Sequence, residues 1–220
     1  MKVIITGTTG MVGEGVLIEC LSHPQISEIL TVNRKPSGRS HPKVKEYLVN
    51  DFLTLKQNDE KLQGYDACFF CAGISSVGMK EPEYTRVTYD TTLTFARALS
   101  PKDQMTFIYV SGAGTDSSEK GRLMWARVKG KTENDLMKLP FKRVFAFRPG
   151  LMKYISGQKN IIRMNKILAW FYPFARTVFP NIAGTLTEVG QAMINAAQYG
   201  YEKNVLEVKD IRVIAEKSHS

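Results

Sequence analysis

The sequence predicts a doubly wound α/β fold, a mainly parallel sheet with helices on both faces and a small C-terminal, substrate-side elaboration. Three observations predict it. Short apolar, β-branched runs alternate with helically spaced ones along residues 1–155. The strand-like runs are apolar almost throughout, as strands covered on both faces are. A glycine-rich turn, Gly7-Thr8-Thr9-Gly10-Met11-Val12-Gly13, stands between the first strand and the first helix.

The elements follow in order. Val3–Thr6 reads as the first strand, and Met11–Leu21 as a helix with Met11, Val12, Val16, Leu17 and Cys20 near helical spacing. Ile29–Val32 is the second strand. Pro36–Pro42 is loop, with Ser, Gly and two prolines, too short for a crossover helix before a third strand at Val44–Val49. Ala67–Cys71 is the fourth strand, Tyr84–Leu99 a helix, Thr106–Val110 the fifth strand, Met124–Leu139 a helix and Val144–Phe147 the sixth strand. Right-handed crossovers turn this order into a doubly wound sheet. After Pro149-Gly150 aromatic and helical segments take over, and a late strand near Val205–Val208 closes an edge. No repeat or linker divides the chain. The expectation is one domain over 1–220, with a core at 1–155 and an elaboration at 156–220. At 220 residues, 43% hydrophobic and 23% charged, the chain is long enough to bury a core and is not disordered.

The glycine turn carries the chemistry. Gly7 permits a tight exit from the strand, Gly10 lets the backbone approach a diphosphate, and Gly13 lets the helix pack closely. The amides around Thr9, Gly10, Met11, Val12 and Gly13 lie at the positive end of the helix dipole, where phosphates bind. The spacing is G-x-x-G-x-x-G, placed as in the Rossmann dinucleotide-binding turn. The second strand then ends at Asn33-Arg34-Lys35, with no acid to accept bonds from ribose hydroxyls. Arg34 is suited to fork onto a 2′-phosphate, with Lys35 or Arg39 adding charge. The cofactor expectation is therefore NADP, with NAD as the alternative. Asp51 is placed to accept a bond from an adenine amino group beside Phe52, or to cap the turn that follows it.

Together these residues resemble the atypical short-chain dehydrogenase/reductases, the group that includes NAD-dependent epimerase/dehydratase-like proteins. The further matching segments are Cys71-Ala72-Gly73, Tyr109-Val110-Ser111-Gly112-Ala113, Val128-Lys129-Gly130-Lys131-Thr132-Glu133 and Phe147-Arg148-Pro149-Gly150. Within the group the chain looks most like the Tat-interacting-protein branch, from its short second connection, Lys-Gly-x-x-Glu helix and Arg-Pro-Gly exit. The resemblance implies an oxidoreductase-type protein. It implies Ala72 and Gly73 beside the adenosine ribose and diphosphate, Ser111 facing the nicotinamide, Lys129 on the nicotinamide ribose, and Pro149 and Gly150 bordering the nicotinamide.

One position departs from that pattern. The superfamily's proton donor is a Tyr four residues before the Lys, and Trp125 stands there. An indole N–H donates a hydrogen bond but does not titrate usefully. Lys131 and Lys120 do not restore the motif, because Arg127 and Asp116 fill the corresponding positions. Ser111 and Lys129 remain as catalytic candidates. Three readings stay open: a non-catalytic, NADP-responsive sensor or interaction protein; an oxidoreductase whose acid is Tyr154 or a water near Ser111; or a reductase in which Trp125 stacks on a flat substrate.

The net charge is +9. No zinc pattern, RNA-binding motif or helix-turn-helix signature accompanies it, so no nucleic acid is expected. The basic clusters at Arg34–Lys45 and Arg122–Lys131 are read as serving the dinucleotide. His23, His41 and His219 are too dispersed for a metal site. Residues 160–180 mix Arg163, Lys166 and Arg176 with aromatic residues around Pro173, and are read as core packing, a lid over a hydrophobic small-molecule substrate, or a peripheral membrane or protein contact. Cys68 and Cys71 form a C-x-x-C pair whose thiols point to opposite faces of a strand, a structural role. Three cysteines and no signal-like start give a cytoplasmic expectation. Oligomeric state is not legible.

Overall fold

A computed structural model of the chain describes residues 1–160 and 182–217. Its main sheet is parallel and seven-stranded, in the order β3-β2-β1-β4-β5-β6-β9. The strands are β1 (Lys2–Thr6), β2 (Glu28–Asn33), β3 (Val44–Leu48), β4 (Ala67–Phe70), β5 (Thr106–Val110), β6 (Arg143–Arg148) and β9 (Val205–Glu207). Two short strands, β7 (Leu151–Lys153) and β8 (Ala183–Thr185), pair beside it. The order steps outward from β1 in both directions. The strand order thus reverses between β1 and β4, where open α/β sheets hold ligands at their carboxyl ends.

Alternation along each strand builds two cores. Val3 and Ile5 of β1, Phe69 of β4, Ile108 of β5 and Phe147 of β6 face one side. There they meet helices α1 (Met11–Ser22), α5 (Leu186–Tyr199) and α6 (Val208–Glu216). Ile4, Cys68, Phe70, Phe107 and Tyr109 face the other side. That side is covered by α2 (Glu81–Thr85), a π-helical stretch at Arg86–Asp90, α3 (Thr91–Ala98) and α4 (Met124–Leu136). Cys68 and Cys71 fall on opposite sides accordingly, and all three cysteines are unpaired.

The region expected to elaborate the substrate side, 156–220, also builds the sheet. It supplies β8, α5, β9 and α6. The buried face of α5, including Val189, Met193 and Ile194, packs into the α1-side core. Thr185 and Glu188 form a capping box at the start of α5. The basic aromatic segment anticipated at 160–180 lies outside the described residues except for Asn160. No helix among the described residues is long and apolar enough to cross a membrane.

Candidate functional site

The carboxyl ends of β1 to β4 open onto a cavity of about 590 Å3. One wall is the glycine turn. Gly7 leaves β1 at φ +69°, and a Cβ there would sit 2.7 Å from the Cα of Ala72. A Cβ on Gly13 would sit 2.3 Å from the Gly7 carbonyl oxygen, so the close approach Gly13 permits is to the turn itself. Gly10 caps α1 with extended backbone and no side-chain bond. A Cβ on Gly10 meets nothing nearer than 3.4 Å, and one on Gly73 meets nothing within 4 Å.

Gly7, Thr9 and Gly10 line the cavity; Met11, Val12 and Gly13 do not. The Met11 carbonyl accepts a bond from the Gln158 side chain at 2.7 Å, and Val12 packs against the core. Two polar clamps that the sequence reading missed hold the turn. The Asn33 side chain accepts from the Thr8 N–H at 2.9 Å and donates to Thr8 Oγ1 at 2.8 Å. Thr6 Oγ1 accepts from the Cys71 and Ala72 amides at 3.1 and 3.0 Å. Both side chains are buried. Their signal was faint: one polar residue ending each of two apolar strands.

Arg34, Asp51, Phe52, Ala72 and Gly73 all border the same cavity. Arg34 is exposed and makes no hydrogen bond or ion pair with the described residues. Asp51 is the one acid among the described lining residues, and its carboxylate caps the following 3-10 turn by accepting from the Leu53 N–H at 2.9 Å. Phe52 is buried against Phe70 and Phe95. Asn50, Leu53, Ile74, Arg86, Val87 and Thr91 complete the wall unannounced by sequence. Cys71 also borders it, its thiol pushed up to about 12 by burial and so protonated.

Arg39 does not join Arg34. Its guanidinium donates twice to Glu14, through Nε at 3.2 Å, and once to the Gly157 carbonyl at 2.8 Å. Glu14 is 1% exposed and also accepts from the Lys159 and Asn160 amides. Burial pushes its carboxyl up, but the bonds from Arg39, Lys159 and Asn160 outweigh that and hold it below the usual range. Other members of the two basic clusters are spent in the same way. Lys43 donates to the last carbonyls of α1, Lys45 pairs with Glu28, Arg127 with Glu81, and Lys131 lies over the Tyr89 ring. Of these clusters only Arg34 lines the cavity among the described residues.

The remaining candidates gather next door, at the ends of β5 and β6, outside the cavity wall. Lys129 Nζ donates to the Ser111 carbonyl. Burial pulls that ammonium below the ordinary lysine range, with Glu133 acting in opposition. The Ser111 hydroxyl donates to the Phe147 carbonyl at 3.2 Å. The Pro149 carbonyl accepts from the Ala113 N–H at 2.9 Å, and Gly150 packs against the Ile182 carbonyl, 2.1 Å from where a Cβ would be. Trp125 is half-buried one helical turn before Lys129, its ring against Gly114. Tyr154 is half-buried just after β7.

An uncapped helix start, open Cβ positions at Gly10 and Gly73, and an unpaired guanidinium suit a flat ligand carrying a diphosphate. The same framework recurs in known proteins. The solved structure of MoeE5 in complex with UDP-glucose and NAD superposes with a TM-score of 0.68 at 15% identity, covering 98% of this chain and 81% of that one. The UDP-glucuronic acid 4-epimerase from Bacillus cereus in complex with NAD gives 0.66 at 13% identity, covering 94% and 76%. The chain has the fold of the epimerase/dehydratase-type short-chain dehydrogenase/reductases. The expected likeness to the Tat-interacting-protein branch is found as well. The chain is 28% identical to rat Protein HTATIP2 over 154 residues, 69% of this chain and 62% of that protein. It is 27% identical over 216 residues to the fmp52 protein of Aspergillus clavatus, 93% of this chain and 90% of that protein. No protein-family model matches.

The cytoplasmic expectation is corrected here. Fungal relatives of the chain are named mitochondrial.

Proposed function

We propose that this chain binds a nicotinamide dinucleotide, NADP in preference to NAD, and serves as an oxidoreductase of the short-chain type. The observation that carries the reading is the cavity itself. It joins the uncapped start of α1 to an unpaired Arg34 in the place where an NAD-selective site holds an acid. The glycine turn would cradle the diphosphate on backbone amides, and Arg34 would take a 2′-phosphate in a charge-assisted pair. Phe52 and Asp51 would flank the adenine. When bound, such a dinucleotide supplies hydride chemistry. Lys129, beside the Ser111 carbonyl, would hold ribose hydroxyls, and Pro149 and Gly150 would border the ring. Exposed Ile74, Val77, Leu123 and Ile182 follow the carboxyl ends of the strands or adjoin them, which supports an apolar small-molecule substrate.

Titration of NADPH and NADH by tryptophan quenching tests the cofactor choice. Arg34→Ala is expected to weaken NADPH by about 10-fold or more, the worth of a charge-assisted bond of ~1.5–3 kcal/mol, and to leave NADH unchanged. Equal affinity for both coenzymes in wild type, unaltered by the substitution, refutes the 2′-phosphate role.

Trp125 supports a second reading, a non-catalytic NADP-responsive sensor or interaction protein. No phenol stands four residues before Lys129, and the Ser111 hydroxyl is engaged by the Phe147 carbonyl. A panel of carbonyl substrates with NADPH separates the two. Activity that appears only in Trp125→Tyr favours the sensor. Wild-type turnover that Trp125→Tyr fails to improve shows that the indole is no handicap.

A further inference from the structure

The helix facing Phe52 and Leu53 is irregular where it borders the cavity. Between α2 and α3 the backbone widens to a π-helical turn at Arg86–Asp90. Such insertions change which side chains face a given wall and are frequent at functional sites. Here Arg86, Val87 and Thr91 all reach the cavity. Arg86 also lines an adjoining hollow of about 340 Å3, and Leu53 is shared between the two in the same way. Arg86 and Leu53 therefore stand together at the partition between the two hollows. The guanidinium is exposed and makes no hydrogen bond or ion pair with the described residues.

Arg34 and Arg86 thus offer two uncommitted cations to one cavity, in different surroundings. Arg34 follows Asn33, whose amide grips Thr8, so it is anchored beside the phosphate turn. Arg86 is next to Val87 and shares its partition with Leu53, while Asp90 and Arg97 lie with it on the side of the adjoining hollow. On the cavity side, a planar cation beside Val87 and Leu53 suits the face of a flat aromatic ring, on which guanidinium stacks well. We infer that Arg86 is a binding residue for the adenine ring, covering its face, while Arg34 reads the ribose phosphate. This rests on the dinucleotide reading above and deepens it.

Calorimetric titration of wild type and Arg86→Met with NADPH, NADH, AMP and nicotinamide mononucleotide tests the assignment. Arg86→Met is expected to weaken NADPH, NADH and AMP alike, by about 3- to 30-fold, the range of one guanidinium–ring contact. The NADPH-to-NADH ratio and the mononucleotide titration stay at their wild-type values. Arg86→Lys recovers only part of the loss, because an ammonium does not stack as a plane does. An unchanged affinity for every adenine ligand overturns the assignment, as does a loss confined to NADPH, which would make Arg86 a phosphate ligand. AMP separates this claim from the larger one. Binding of AMP that falls in Arg86→Met, with no binding of either coenzyme, keeps Arg86 and sinks the dinucleotide. A wild-type chain that takes no adenine nucleotide overturns both.

Discussion

Glu14 shows how a single side chain can tie distant segments together. It sits one residue past the last glycine of the turn, yet its carboxylate gathers the Arg39 guanidinium from the β2–β3 loop and the Lys159 and Asn160 amides from the distant segment after β7. A folded-state pKa below the ordinary glutamate value of 4.5 means that the folded chain gives up this proton more readily than the unfolded one. Its stabilisation is complete above that value and is lost as the pH falls through the lowered one. Glu14→Gln is expected to cost about 1–3 kcal/mol in urea unfolding at pH 7, and the gap to wild type should close as the pH falls through the lowered folded-state value, beneath 4.5. A gap of the same size at both ends of that range contradicts the argument. The glycines make a paired prediction. Gly13→Ala drives a methyl into the Gly7 carbonyl and should lower the melting temperature by several degrees, while Gly10→Ala, with room for its methyl, should melt like wild type and lose dinucleotide affinity.

At the level of elements, the seven strands of the main sheet were legible to within a residue or two, because short apolar runs bounded by polar residues have few alternative readings, whereas the short β7 and β8 were not anticipated. Helix limits were less so. The helix expected from Tyr84 begins at Glu81, where Pro82 and two glutamates mark a first turn that apolar spacing does not register. The helix expected to reach Leu139 stops at Leu136, since Pro140 disfavours helical backbone before it. The purpose of the Lys-Gly-x-x-Glu and Arg-Pro-Gly segments was visible only in space. Glu133 on α4 and Arg148 at the end of β6 form a buried pair, with Arg148 Nε donating at 3.0 Å and its other nitrogens reaching Ser117 and Glu207. This pair fixes α4, and with it Trp125 and Lys129, against the sheet. Arg148→Met strands a carboxylate that is 1% exposed; chemical denaturation should report a loss of about 3–5 kcal/mol. A loss under 1 kcal/mol would mean the pair is not buried as described.

For the whole molecule, the parallel order outward from β1 was within reach of the sequence, because right-handed crossovers leave few other arrangements. The phosphate turn was legible for the same reason: its meaning depends on local order, strand then glycines then helix. The role of Arg39 was not, since which of several basic residues in a loop turns inward depends on a partner 25 residues away. Nor could the sequence show that the cavity stops short of Ser111 and Lys129, which depends on how the loops after four strands meet.

At one margin of the sheet β3 pairs, among the described residues, with β2 alone. Lys45 and Glu46 are adjacent on that strand and exposed, so a charge projects from either surface of the rim. A strand from a second molecule could not dock there without stripping water from one of them. The rim is thereby kept from growing into a shared, intermolecular sheet. Replacing both with valine should turn a chain that stays clear on mild warming into one that scatters light, with the melting temperature nearly unmoved.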